Sequence, residues 1–140
     1  SSGVMIEGWA HYTEAMMIKE GLGGGDPRYD LVQKKWLLRG TSNAIIDQKI
    51  HAGNMTRDEA MDLMVNETFQ EYAEASAKWV RAQLTSAQLS EYFVGNMLIE
   101  DLQKDYRNAM GDNFSLKTFH ETLLSQGSIP VRYLRSILLD

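Results

Sequence analysis

Helix-breaking residues are rare in this sequence, and those present fall at a few joints. The 140 residues include two prolines and 11 glycines, and the glycines cluster most densely at Gly23–Gly25. Between the joints, apolar residues recur at helical spacing, and no stretch alternates as a half-buried strand does. The sequence therefore predicts an all-α fold of six to seven helices in a single unit, residues 1–140.

Capping residues predict where these helices begin. Asp26 followed by Pro27 is typical of the start of a helix. Thr56 and Glu59 have the spacing of a capping box, and Ser115 stands before a short apolar helix. The helices are expected over about 4–19, 27–51, 57–69, 70–84, 86–110 and 116–126, with a last one from about 128.

Composition excludes several classes of function. The apolar fraction of 44% and the charged fraction of 24% are those of a globular chain. A net charge of −5 with scattered Lys and Arg argues against nucleic acid as a partner. The absence of cysteine removes disulfides and thiol chemistry. No stretch approaches the roughly 18 apolar residues of a membrane span, and the compartment stays undecided.

The opening helix combines an apolar stripe with a narrow polar seam. The seam consists of Glu7, His11 and Glu14, and burying such carboxylates without partners costs several kcal/mol. Glu7 and His11 stand four residues apart, so both can point at one divalent metal ion. From spacing alone, a solvated seam, or one paired with an arginine from elsewhere, is the more common arrangement.

The three histidines do not form a conventional zinc motif. No H-x-x-x-H pair occurs, and the segment FHETLL has Leu124 where the second His of H-E-x-x-H would stand. We therefore expect Phe119 and Leu123 to pack in the core, with His120 near the surface.

Four segments, in order, resemble one bacterial family. EGWAHYTE at 7–14 is similar to the E-G-W-A-x-Y-x-E segment of domain-of-unknown-function family 885 (DUF885), whose members resemble zinc metallopeptidases of the gluzincin kind. Residues 47–64, 81–95 and 114–134 resemble its later segments, so the similarity covers nearly the whole chain. Departures occur at Lys49, Met55 and Ser86–Ala87, where the family has Gly, Trp and Pro-Gly.

The resemblance implies peptide-bond hydrolysis by metal-activated water. It implies that the chain is the C-terminal part of a helical zincin-like metallopeptidase domain, whose His motif lies upstream of these residues. Glu7 is then the third zinc ligand, with His11 and Glu14 orienting the ligands. Zinc is expected in the full-length protein rather than in this piece, and the substrate is expected to be a peptide.

Further roles follow from the same resemblance. His51 and Tyr92 would donate hydrogen bonds to the developing oxyanion, Arg81 would bind a substrate carboxylate, and Tyr12 would contact substrate or metal ligands. Without the resemblance, the residue types and their positions favour purely structural roles. His51 suits a helix C-terminus, Tyr92 suits a core, and Arg81 suits a surface.

A hypothesis from another class is a non-catalytic all-α interaction module. It explains the helical pattern, the acidic charge and the missing His pair, but explains the polar seam less well. A fragment of a larger domain would expose apolar surface, and self-association through that surface is expected.

Trp36 and Trp79 are predicted to lie in the core.

Overall fold

The computed structural model describes residues 1–139, which contain seven α-helices and no β-strand. The all-α prediction is therefore confirmed. A π-helical turn, Leu63–Glu67, follows the third helix, and a 3₁₀ turn, Gly111–Asn113, follows the fifth. The helices are α1 (Gly3–Lys19), α2 (Pro27–Ala52), α3 (Arg57–Asp62), α4 (Tyr72–Leu84), α5 (Glu91–Met110), α6 (Leu116–Ser125) and α7 (Val131–Leu139).

The predicted helix starts are formed by side-chain caps. Asp26 accepts a hydrogen bond from the backbone N–H two residues on, and Pro27 opens α2. Thr56 and Glu59 make both hydrogen bonds of the capping box at α3. Ser115 accepts from the N–H of residue 118. Each cap satisfies backbone donors that the first helical turn leaves free.

The helix predicted through residue 69 ends earlier than expected. Phe69 has φ 58° and is 62% exposed, so it is neither helical nor part of the core. The hydroxyl of Thr68 donates to the carbonyls of Leu63 and Met64, at 3.1 Å each, which closes the π turn. Gln70 then turns inward and donates to Ser42 Oγ at 2.8 Å. This buried polar contact, rather than local propensity, reverses the chain at Phe69.

The fifth helix was predicted from residue 86 but begins at Glu91. Ala87 has φ 64°, which ends helical geometry before the helix can start. The segment 85–90 lies over α2, where Asp47 binds two of its backbone N–H groups.

The core has two parts. The first is formed by α1, α5, α6 and α7, and the second by α2, α3, α4 and the segment before α5. Trp79 packs against the second part, but Trp36 is 43% exposed on α2, so the prediction that Trp36 lies in the core was wrong. The central buried side chains of the first part are Tyr12, Ile99, Leu102, Phe119, Leu123 and Leu134, and those of the second are Ile46, Met64, Ala75, Ala82 and Leu89.

No helix among residues 1–139 combines the length and the apolar character needed to cross a bilayer.

Candidate functional site

A close helix crossing positions the polar seam of α1. Gly8 on α1 lies directly against Gly95 on α5, and a Cβ on either glycine would fall within 2.6 Å of the other's backbone. Because neither residue has a side chain, the two helix backbones touch. This contact brings His11 edge-on to Tyr92, with ring centroids 5.5 Å apart and planes at 62°.

A cavity of about 270 Å³, lined by both charged and apolar residues, opens beside this pair, between α1, α2, α4 and α5. Four residues that the sequence nominated meet there, namely His11, Glu14, Arg81 and Tyr92. Arg81 is exposed and donates to the side-chain oxygen of Gln88. The structure therefore brings four of the nominated residues together from three distant segments.

Three further lining residues were missed in the sequence, namely Arg39, Asn43 and Lys78. Lys78 shares a buried stripe of α4 with Ala75 and Ala82, at spacings of three and four residues. That stripe is readable from the sequence, and a lysine on it is the signal that could have identified this residue.

Lys78 is a buried cation held by polar partners. It is 6% exposed, and its Nζ donates to Gln70 and lies 3.5 Å from Glu74. Arg39 also pairs with Glu74. Burial lowers the pKa of Lys78 to about 8, and the positive charge of Arg39 contributes to the decrease, against the opposing effect of Glu74.

Stability is expected to rise with pH because of Lys78. Above pH 8 the folded protein releases this proton, whereas the unfolded chain keeps it to about 10.5. The unfolded state then binds more protons, so the free energy of unfolding increases between these values, by at most about 3 kcal/mol. Urea unfolding at pH 7 and pH 10 measures the increase. Lys78→Met should reduce this increase in the free energy of unfolding. An equal increase in wild type and variant would contradict the assignment of the lowered pKa to Lys78.

Glu7 lies one helical turn before His11 on the same face of α1. It is half-buried, and no hydrogen bond or ion pair of its carboxylate is formed within residues 1–139. Over the same residues, no three His, Asp or Glu side chains come close enough to hold a metal ion. The donors present therefore fit one carboxylate ligand of a zinc ion but do not make a complete site.

His51 lies outside the cavity. Its Nε2 is 2.9 Å from the carbonyl of Ala82 and 2.7 Å from that of Thr85. Two carbonyl acceptors require the proton on Nε2, which then donates to the end of α4. Asp47 lies 3.5 Å from the same nitrogen. The structure thus places His51 at the junction of α2 and α4.

Tyr12 lies on the opposite side of α1, in the first part of the core. It is 3% exposed, and its hydroxyl is 2.8 Å from Nε2 of His120. Burial raises the pKa of Tyr12 to about 12 and lowers the pKa of His120 from its usual range. Phe119 and Leu123 are buried as predicted, and His120 is half-buried beside them.

Fold and site together define an all-α unit in which a cavity lined by three cations and one buried amide lies one helical turn from a half-buried carboxylate. The chain belongs to the family described as bacterial protein of unknown function, DUF885, which it matches over residues 1–138. No curated protein matches the chain.

Two solved structures are similar to the chain. A candidate lipoprotein of unknown function from Shewanella oneidensis is 46% identical, with a TM-score of 0.95 over 99% of this chain and 26% of that one. A candidate lipoprotein from Colwellia psychrerythraea is 27% identical, with a TM-score of 0.92 over 96% of this chain and 23% of that one. The chain therefore spans about a quarter of the length of each.

Proposed function

We propose that this unit is one part of a zinc-dependent peptidase, to which it contributes a zinc ligand and a substrate-binding cavity. The observation that carries the proposal is Glu7, a half-buried carboxylate with no partner among the described residues, one turn from the cavity. The similarity of EGWAHYTE to a gluzincin-like segment supports the same role. The other ligands belong to residues outside this chain, in keeping with the greater length of the two solved relatives.

The role proposed for each residue of this chain follows from its position relative to the cavity. A bound zinc ion would polarise the scissile carbonyl and activate water. Tyr92, held by the ring of His11, supplies a neutral hydroxyl donor beside the cavity. His11 and Glu14 continue the same face of α1 towards the cavity and would orient metal ligands once the zinc site is complete. His51 receives no catalytic role, because its Nε2 already donates to the end of α4.

The test is Glu7→Gln in the longest natural protein that contains this sequence. Glutamine keeps the shape of the side chain but loses the charge that attracts the metal. We expect wild-type protein to hold one zinc per chain by elemental analysis, and the variant to lose both zinc and peptide hydrolysis. Glu121→Gln, on the exposed face of α6, is the matched control and should lose neither. An unchanged zinc content in the Glu7 variant would show that Glu7 is not a zinc ligand.

A second candidate function is a non-catalytic interaction module. It is favoured by an apolar groove of about 380 Å³ between the end of α1 and the start of α2, lined by Ile18, Leu22, Tyr29, Val32 and Trp36 among others. Such a groove can receive a partner or a second copy of the chain. The zinc measurement separates the two, because wild-type protein without zinc or hydrolytic activity would favour the module.

A further inference from the structure

We infer that the cavity between α1, α2, α4 and α5 binds the free α-carboxylate at the C-terminus of a peptide substrate. The unit would then restrict cleavage to bonds near that end of the peptide. This inference rests on the proposed function and deepens it by naming the substrate class.

The charges around the cavity favour a single negative charge. Arg39, Lys78 and Arg81 are the cations that line it. Glu14 lines it too, and Glu74 pairs with Arg39 and Lys78 from behind. One positive charge remains after these two carboxylates are matched. A carboxylate neutralises that charge, whereas a phosphate would introduce a second negative charge without a partner.

A buried amide at the cavity indicates that a ligand completes the site. Asn43 is 8% exposed, and its Oδ1 has no hydrogen-bond partner within residues 1–139. An unsatisfied buried polar group costs about 1–3 kcal/mol. Because Asn43 lines the cavity, a bound molecule can satisfy this amide. The unpaired Oδ1 is an acceptor, so it can take the last backbone N–H of a bound peptide, while the guanidinium of Arg81 donates two N–H groups to the adjoining terminal carboxylate.

The distance from Glu7 limits which bond can be cut. His11 and Glu14 line the cavity four and seven residues after Glu7. At 1.5 Å per residue, the cavity therefore lies about 6–10 Å along α1 from the proposed ligand. An extended peptide advances about 3.5 Å per residue. A carboxylate held in the cavity thus places the scissile bond about two to three residues from the C-terminus.

The test compares two peptides that differ only at the C-terminus, in the longest natural protein that contains this sequence. An N-acetylated hexapeptide is supplied as the free acid and as the C-terminal amide, and products are identified by mass spectrometry. We expect kcat/KM to be at least tenfold higher for the acid, with two or three residues released. Equal cleavage of both, or cleavage in the middle of the peptide, would overturn the inference while the peptidase function stands.

Binding measurements keep the inference testable without hydrolysis. Acetyl-Ala-Ala as acid and as amide is titrated calorimetrically into wild type, Arg81→Gln and Asn43→Ala. We expect the acid to bind wild type at least tenfold more tightly than the amide and Arg81→Gln to lose that preference. Asn43→Ala should weaken the binding of both peptides, because both carry the N–H that Oδ1 accepts. Arg132→Gln, on the exposed face of α7, should keep it. If wild type binds the acid and the amide equally, the inference is overturned. If wild type prefers the acid but hydrolyses no peptide, only the proposed peptidase function is overturned.

Discussion

Gly95→Ala is expected to lower the free energy of unfolding by about 3 kcal/mol or more. An added Cβ would lie 2.0 Å from the carbonyl oxygen of Val4 and 2.6 Å from the Cα of Gly8. Both are backbone atoms, so the clash is relieved only by moving α1 away from α5. These two helices form the most extensive helix contact of the described chain, and overpacking of cores costs about 1–3 kcal/mol even where side chains can adjust.

Urea unfolding monitored by circular dichroism measures the change in the free energy of unfolding caused by Gly95→Ala. Gly40→Ala is the matched control. Gly40 is also helical and buried, but a Cβ there would meet only the ring of His11, at 3.2 Å. A side chain can shift by a few tenths of an ångström, and alanine is the better helix former by about 1 kcal/mol. Gly40→Ala is therefore expected to be neutral or stabilising. Equal effects of the two substitutions would contradict the backbone contact at Gly95.

The contact between α1 and α5 also explains why Gly8 and Gly95 occur inside helices, where no turn requires a glycine. Gly8 follows Glu7 in the segment EGWA, and Gly95 stands three residues after Tyr92. When the glycines touch, the glutamate and the tyrosine are fixed on either side of one helix contact. Neither glycine breaks its helix, so a search for turns passes over both.

Local signals were sufficient for the number of helices and for the starts of α2, α3 and α6, but not for the cavity. Asp26, Thr56 and Ser115 act on backbone N–H groups within three residues, so their effects can be read in sequence. The cavity depends on α1, α2, α4 and α5 meeting in space. Lys78 is marked in the sequence only by its place on the buried stripe of α4, and the role of Asn43 appears only when its burial and its unpaired Oδ1 are known.

Long-range polar contacts also account for the two misplaced helix boundaries. Gln70 reaches Ser42 from 28 positions away, and Asp47 reaches Ser90 from 43 positions away. Each contact holds a short segment in a non-helical form that local propensity does not favour. A residue-by-residue reading assigns such segments to the adjoining helix, as it did at Phe69 and at residue 86.

Asp47 is the anchor of the segment before α5. It is 2% exposed, and Oδ1 accepts from the N–H of Ala87 at 3.1 Å. Oδ2 accepts from the N–H and the hydroxyl of Ser90, at 3.0 and 2.9 Å. These bonds hold a backbone with φ 64° at Ala87 and set the start of α5, just before Tyr92. A single buried carboxylate thus links the end of α2 to the cavity wall.

Asp47→Ala is accordingly expected to lower the free energy of unfolding by about 3 kcal/mol. The substitution removes three hydrogen bonds to a charged acceptor and leaves backbone N–H groups without partners, and each such loss costs about 1–3 kcal/mol before the segment relaxes. Urea unfolding gives the total, and hydrogen exchange at Ala87 and Ser90 should accelerate most. Asp101→Ala, on the exposed face of α5, should leave both unchanged. Unchanged exchange in the Asp47 variant would show that Thr85 and His51 hold the segment instead.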